Sequence, residues 1–558
     1  MFLTLQISHQ VPVLVYILIV FPFLIIAPGF VLTRTFIHDT EKFSFSELWF
    51  LRVALSIAVN TINIMILSLA HHFTLLNLCS WNVFVTLAFC VMTRFKFLKK
   101  TPPAMIDWRD FYVVFLVFTV AVFSFWPSEL LREPYTLAMS IVRGKSLELS
   151  QWWDVDGNGA LAVLWQSVFI VLFGPRVALL GVPIFAILSI AGTYFCAKRL
   201  IGNDRAAIAS SLLQMVNFVQ IWFSRTTDAF IIAQFLFIAS LYLYMVCVQH
   251  RQKCILIFFL LYLLLFSVAA QTFWILPLII GVFFLLQNIV TKNNSERGLV
   301  YIKSLLVIVC FILFYQLMKQ HVLWFQMLNL FYWLLAAIGL WSVFSRLKEN
   351  GLQTEQMFVL AMTICAAFVF GRDITSEPFM KKSSIIVPAL IPIICLLSGF
   401  AYRWLEQVKN MFRICIAFFA VILCFELTSH WPLLWVRDHN GSLSFYQRFV
   451  KNIGPNDVLL SDDVQLCHLL KNVYGAHCYR IDAYQNFDQA FKEELRDWIS
   501  GGGQVLYVSD KKAIEIEGIQ LKLDNITSVQ TPVIGGTQTF PKKEQMISLK
   551  LYLYQVQI

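Results

Sequence analysis

Apolar runs of about 20 residues recur along most of this chain with almost no charge inside them, and a segment of that length is what it takes to cross a bilayer as a helix. The runs lie near residues 11–32, 47–70, 73–93, 111–127, 178–197, 206–223, 229–249, 254–270, 272–290, 303–318, 323–344, 356–370, 384–402 and 412–429. That is about fourteen spans, so the chain reads as a polytopic all-α membrane domain. Charged residues make up 14% of the sequence, against about 25% in soluble chains. The net charge of +10 comes mostly from loops between the runs. It reads as a topology signal rather than a nucleic-acid footprint.

One apolar stretch, ALAVLWQSVFIVLF at 160–173, is too short for a simple crossing and reads as an interfacial or re-entrant helix. The basic residues support that reading. With 160–173 left out of the count, alternate loops place 20 Lys and Arg on one side, including Arg34, Arg94, Lys198, Arg199, Arg205 and Arg403. The other side receives 9, among them Arg132, Arg143, Arg225, Arg372, Lys381 and Lys382. Counting it as a span would invert every later loop and erase most of the bias. By the positive-inside rule the poorer side is the outer one. The outer side then carries loop 128–177, SRTTDAF at 224–230, GRDITSEPFMKK at 371–382 and everything after the last span.

From 436 the composition changes. Short β-like runs (DVLLSD, QVLYVSD, ISLKLYLYQV) alternate with amphipathic stretches (SLSFYQRFVKNIG, FDQAFKEELRDWIS), and three glycines at 501–503 stop the second of them. This predicts a C-terminal soluble α/β domain over 436–558, after an N-terminal transmembrane module (1–110) and a transmembrane core (111–430) with outer loop 128–177. The domain shows no GxxxxGK[ST] loop, no GxGxxG and no nucleophile elbow. Most of the twelve cysteines lie in apolar spans. Cys467 and Cys478 are the exceptions and could pair in an oxidising compartment. Asn440-Gly-Ser442 and Asn525-Ile-Thr527 fit the glycosylation sequon. His71-His72 reads as the cap of a span end.

The ionisable residues gather on the outer side. Glu129, Arg132, Glu133 and Tyr135 follow a span directly. A carboxylate there can orient or deprotonate an acceptor hydroxyl while a cation neutralises a phosphate; the plainer alternative is headgroup-level charge on an interfacial helix. Asp154, Asp156 and Asn158 match the first half of a calcium loop, but Trp165 stands where a bidentate Glu is needed. A polar turn is the simpler reading. A looser divalent-cation site stays open as the one cofactor implied. Arg225, Arg372, Lys381 and Lys382 suit a lipid-linked phosphate, with Asp228 close in sequence to orient an acceptor or a cation. They suit ordinary headgroup contact equally well.

The order of these segments resembles the GT-C class of membrane glycosyltransferases, in particular the protein-mannosyltransferase and aminoarabinose-transferase-like group that uses polyprenyl-phosphate sugars. The resemblance is carried by REPYTLAMSIVRGK after the fourth span, VFIVLFGPRVALL, TYFCAKRLIGNDRAAIASSLL, SRTTDAFIIAQFLFIASLYLY and FMKKSSIIVPALIPIICLLSG. It covers about 111–429 well and 1–110 loosely. One departure stands out: the group's acidic pair is here Arg132-Glu133, so the first acid is missing. The resemblance implies a transferase that moves a sugar from a polyprenyl-phosphate carrier to a glycan, lipid or protein acceptor on the extracytoplasmic face of a bacterial inner membrane. Glu133, or else Glu129, would be the catalytic carboxylate. Arg225, Arg372, Lys381 and Lys382 would bind the donor phosphate. Asp228, Asp154, Asp156 and Tyr135 would orient the acceptor or a cation. Membrane lipid is a partner and nucleic acid is not. The alternative is a non-catalytic scaffold of the same fold or a lipid-linked-glycan transporter. The scarcity of charges within spans argues against transport.

Overall fold

The computed structural model describes residues 19–37, 43–92, 106, 108–124, 128, 133–144, 160–227, 229–250, 257, 260–262, 265, 330–350, 379–408, 412–436, 439–480, 489–510, 520–534 and 544–557. The spans expected at 272–290, 303–318 and 356–370 lie outside these residues, as does most of 254–270.

The membrane domain is built from α1 (Phe21–Phe36), α2 (Phe45–Leu69), α3 (Leu75–Met92), α4 (Trp108–Phe123), α5 (Glu133–Gly144), α6 (Ala160–Val177), α7 (Gly181–Ile201), α8 (Asp204–Val216), α9 (Phe218–Ser224), α10 (Phe230–His250), α11 (Leu330–Asn350), α12 (Phe379–Gln407) and α13 (Phe412–Trp435). Among the described residues four helices are long and apolar enough to cross a bilayer, and five if the bent pair α8–α9 counts as one span. The faces turned away from the core are apolar too. On α4, Val113, Leu116 and Val120 are buried while Phe111, Val114, Phe115 and Phe118 are exposed. A helix apolar all round belongs in lipid.

Local signals set the helix ends. Ser44 caps α2 by accepting from the backbone N–H of Glu47, the S-x-x-E pattern of a capping box. At the other end His71 takes the left-handed conformation (φ 59°), with His71 N–H bonded to Ser68 O and His72 N–H to Leu67 O. This is a Schellman closure made without glycine, and it bears out the capping role read for the histidine pair. Gly339 of α11 lies against the Leu397 carbonyl of α12, so closely that a Cβ would collide with it.

The helices antialign about two recognisable ends. At one end Arg199 binds Glu47 (2.5 Å), Arg109 binds Asp204 (2.8 Å) and Arg205 binds Glu406 (2.7 Å). Arg403 donates to the Ile201 carbonyl, and the Ser46 N–H donates to Asp110 (2.7 Å). This basic end holds the starts of α2, α4 and α8 and the finishes of α7 and α12. The opposite end, the loop end, holds α5 and α6. Helix α6 stays there. Its Trp165 indole donates to Thr61 (3.1 Å), and Phe169 packs on Phe21, Phe185 and the Gly181 backbone. All of these partners lie in the loop-end halves of their helices, as an interfacial helix requires. Helices α1 and α2 share one hydrophobic cluster with α7, α10 and α12; Phe50 of α2 lies against Phe195 and Tyr242.

The stretch read as a single span at 206–223 is instead two helices meeting at 61°. Asn217 leaves the helical region (φ −62°, ψ 130°) and its side chain accepts from the N–H groups of Val219 and Gln220, capping α9. An N-cap inside an apolar run ends one helix and starts the next.

Beyond the membrane helices, α14 (Ser442–Lys451), β1 (Val458–Ser461), α15 (Val464–His468) with a π turn (Leu469–Tyr474), β2 (His477–Arg480), α16 (Gln489–Ser500), β3 (Val505–Ser509), β4 (Gln520–Ile534) and β5 (Glu544–Gln557) form the expected α/β domain. Its sheet order is β2-β1-β3-β5-β4. Strands β2, β1 and β3 are parallel and β3, β5 and β4 antiparallel. Two apolar clusters flank the sheet. Cys467 and Cys478 form a disulfide across α15 and β2, with Cα atoms 5.5 Å apart. A loop of this length implies about 3 kcal/mol of chain-entropy stabilisation. Cys467→Ser/Cys478→Ser in the full chain should therefore lower the unfolding midpoint measured without reductant, and reductant should leave that variant unchanged.

Candidate functional site

The loop end is assembled around Arg225, the residue that follows the last turn of α9. Ser124, just past α4, donates to Ser224 (2.9 Å), and the Ser128 N–H donates to the Arg225 carbonyl (2.8 Å). The Arg225 side chain is buried, and one amino group donates to the Val436 carbonyl (2.5 Å), just past α13. A guanidinium at a helix C-terminus satisfies an orphan carbonyl and meets the negative end of the dipole. The start of the outer loop, the turn SRTTDAF and the entry to the α/β domain are thus tied at one point.

Helix α5 lies beside this joint and starts at Glu133, with Pro134 fitting its first turn. Tyr135, Ala138, Met139 and Ile141 are buried, so the helix is anchored through its apolar side. At its far end Arg143 donates to the carbonyls of Lys471 (2.9 Å) and Val473 (2.7 Å) in the π turn of the α/β domain. Burial pushes the Arg143 pKa below its ordinary value, though a guanidinium stays charged throughout the physiological range. Gly475 closes the π turn beside this fork in the left-handed conformation (φ 77°), which favours glycine. The α/β domain is therefore docked on α5 at the loop end, on the side the charge bias calls outer.

Beneath the joint lies a polar knot. Ser189 donates to Gln234 (2.9 Å), and the Gln214 amide donates to Ser189 (3.1 Å) and to Gln220 (3.2 Å). These residues come from α7, α8, α9 and α10 and are buried. One acceptor (Gln214 Oε1) and two donors (Gln220 Nε2 and Gln234 Nε2) lack protein partners.

Of the residues singled out from sequence, Glu133 is placed at the start of α5. Lys381 and Lys382 lie in the first turn of α12. Because α12 finishes at the basic end, that turn is at the loop end with Arg225. Tyr135 is buried in the main core rather than open to the loop. Glu129, Arg132, Asp154, Asp156, Asp228 and Arg372 lie outside the described residues. Among the described residues no three of His, Cys, Asp and Glu are placed to hold a metal. Sequence reading passed over two groups. Arg143 carried no signal of its long-range partner. Glu426 is the single acid in the apolar run FFAVILCFELT and is buried on α13, which packs against α8 and α9. A lone acid in a span is signal enough to have been marked.

No family model matches the chain, and no curated protein matches it. Among solved structures it is similar to ArnT from Cupriavidus metallidurans in the apo state, with 12% identity and a TM-score of 0.48 over 80% of this chain and 98% of that one. It is similar also to ArnT from the same organism bound to undecaprenyl phosphate, at 11% identity and a TM-score of 0.47, with the same coverage. At this level of identity no residue role passes from one chain to the other.

Proposed function

We propose that the protein is an integral membrane glycosyltransferase that moves a sugar from a polyprenyl-phosphate carrier to an acceptor at the extracytoplasmic face, which is the loop end. The observation that carries this reading is the convergence at that end of the helix opening at Glu133, the buried Arg225 joint, the Lys381–Lys382 turn and a docked, disulfide-containing α/β domain. Glu133, with Glu129 as the other candidate, takes the proton of the acceptor hydroxyl. The acceptor oxygen bonds to the sugar C1 as the C1–O bond to phosphate breaks. The departing phosphate gathers negative charge, which Arg372, Lys381 and Lys382 stabilise. Arg225 already spends one amino group on Val436, so its larger part in this scheme is to hold the turn that leads to Asp228. Asp154 and Asp156 belong to the acceptor side of the loop, while Tyr135, buried in the core, anchors the helix that opens at Glu133. The α/β domain covers the site or receives the acceptor.

Lipid bound to the gently purified full chain tests the donor class. Native mass spectrometry is expected to show a polyprenyl-phosphate adduct with undecaprenyl phosphate, the ligand of one neighbouring structure, as the probe. Arg372→Ala/Lys381→Ala should lose at least tenfold in that adduct, as the removal of charge-assisted phosphate contacts implies. Equal adducts in both proteins would remove these residues from the donor site. Binding of bulk phospholipid alone would favour the scaffold reading.

A further inference from the structure

Arg52 stands in the second turn of α2, at the end of the molecule away from the candidate site. It is 8% exposed. Among the described residues its guanidinium has no hydrogen bond or ion pair, and its Nε is buried without a partner. Its recorded neighbours are aromatic: the Phe30 ring centroid is 4.7 Å away and that of Trp49 is 5.0 Å away. A second guanidinium, that of Arg34, lies 4.7 Å from the same Phe30 ring. The described acids of the basic end are engaged elsewhere. Glu47 holds Arg199 and accepts from Tyr242 (3.1 Å), Asp204 holds Arg109, Glu406 holds Arg205 and Asp110 accepts from Ser46.

A buried guanidinium costs more than ring contacts return unless an anion joins it. We propose that Arg52 binds the phosphate of an anionic phospholipid in the leaflet at the basic end. Seven residues into α2, Arg52 is about 10 Å from the helix start. Its side chain leans toward that start, which brings the guanidinium up to headgroup level. Phe30 and Trp49 are half-buried and Phe45 is exposed, so the site opens on an aromatic rim of the kind found at a bilayer interface. The forked donors of arginine fit a phosphodiester. Those aromatic walls also favour a lipid over free phosphate, because acyl chains lie against them while the headgroup reaches the guanidinium. This inference is independent of the proposed transferase activity.

The test uses the full chain in detergent, titrated with phosphatidylglycerol, phosphatidylethanolamine or inorganic phosphate and read by native mass spectrometry. The expected result is a phosphatidylglycerol adduct that phosphatidylethanolamine does not displace and millimolar phosphate does not displace. Arg52→Gln should weaken it at least tenfold, and Arg52→Lys less. Trp49→Ala, which removes a half-buried wall of the site, should weaken it too and serves if Arg52→Gln does not fold. Equal phosphatidylglycerol adducts in the folded variants would overturn the proposal. So would displacement by inorganic phosphate, which would make the site one for the free anion.

Discussion

Glu47→Ala is expected to destabilise the membrane domain by about 3–5 kcal/mol, the cost of leaving a buried charge without its partner. The Glu47 and Arg199 side chains are 4% and 10% exposed, and their 2.5 Å contact joins the start of α2 to the finish of α7. Arg199 also donates to Gln249 (2.7 Å), and its guanidinium lies over the Phe43 ring. Removing the carboxylate strands a cation in that enclosure and takes an acceptor from the Tyr242 hydroxyl. Glu47→Leu/Arg199→Met should regain most of the loss, because an apolar pair of similar volume carries no desolvation penalty. Unfolding midpoints in detergent read both effects. A single variant within about 1 kcal/mol of the parent would show that the pair is solvated.

The second large effect falls on chemistry. Glu133→Gln is expected to lower sugar transfer by about 10²–10⁴-fold, the usual contribution of a positioned general base. Carrier binding should stay unchanged, because the substitution removes a proton acceptor and not a phosphate contact. Glu129→Gln is the paired measurement. If its effect is the large one and that of Glu133→Gln is small, the carboxylate before the helix is the base. If both variants retain full transfer, neither acid is the base.

The parts of this fold that were legible in the sequence are those set by local patterning. Apolar run length gave α2, α7, α10, α12 and α13 within a few residues, and shortness marked α6 as staying at one end. The glycines after α16 did end it: Gly502 takes φ 84° and the Gly501 N–H closes on Asp497 O. The Cys467–Cys478 pair was legible because it stood alone outside the apolar runs. Long-range polar pairing was not. Glu47 and Arg199 are 152 residues apart, and neither has a local partner pattern to reveal the other. Asn217 was missed because a hydropathy window averages one polar residue away, although an N-cap needs only one. Arg225 drew notice for its charge and side, but its contact with the Val436 carbonyl depends on where α13 finishes and left no trace in the sequence. In the C-terminal domain β2 and β4 gave little pattern; β4 is an edge strand whose exposed residues are both polar and apolar.

Conversion of a polyprenyl-phosphate sugar to free polyprenyl phosphate by the full chain in oriented proteoliposomes tests the proposed function most directly. The expected result is conversion when acceptor is supplied on the side that bears the α/β domain, and none when it is supplied only on the basic side. Carrier bound normally but never converted, with any lipid-linked sugar and acceptor from either side, would contradict a transferase and leave a lipid-binding scaffold.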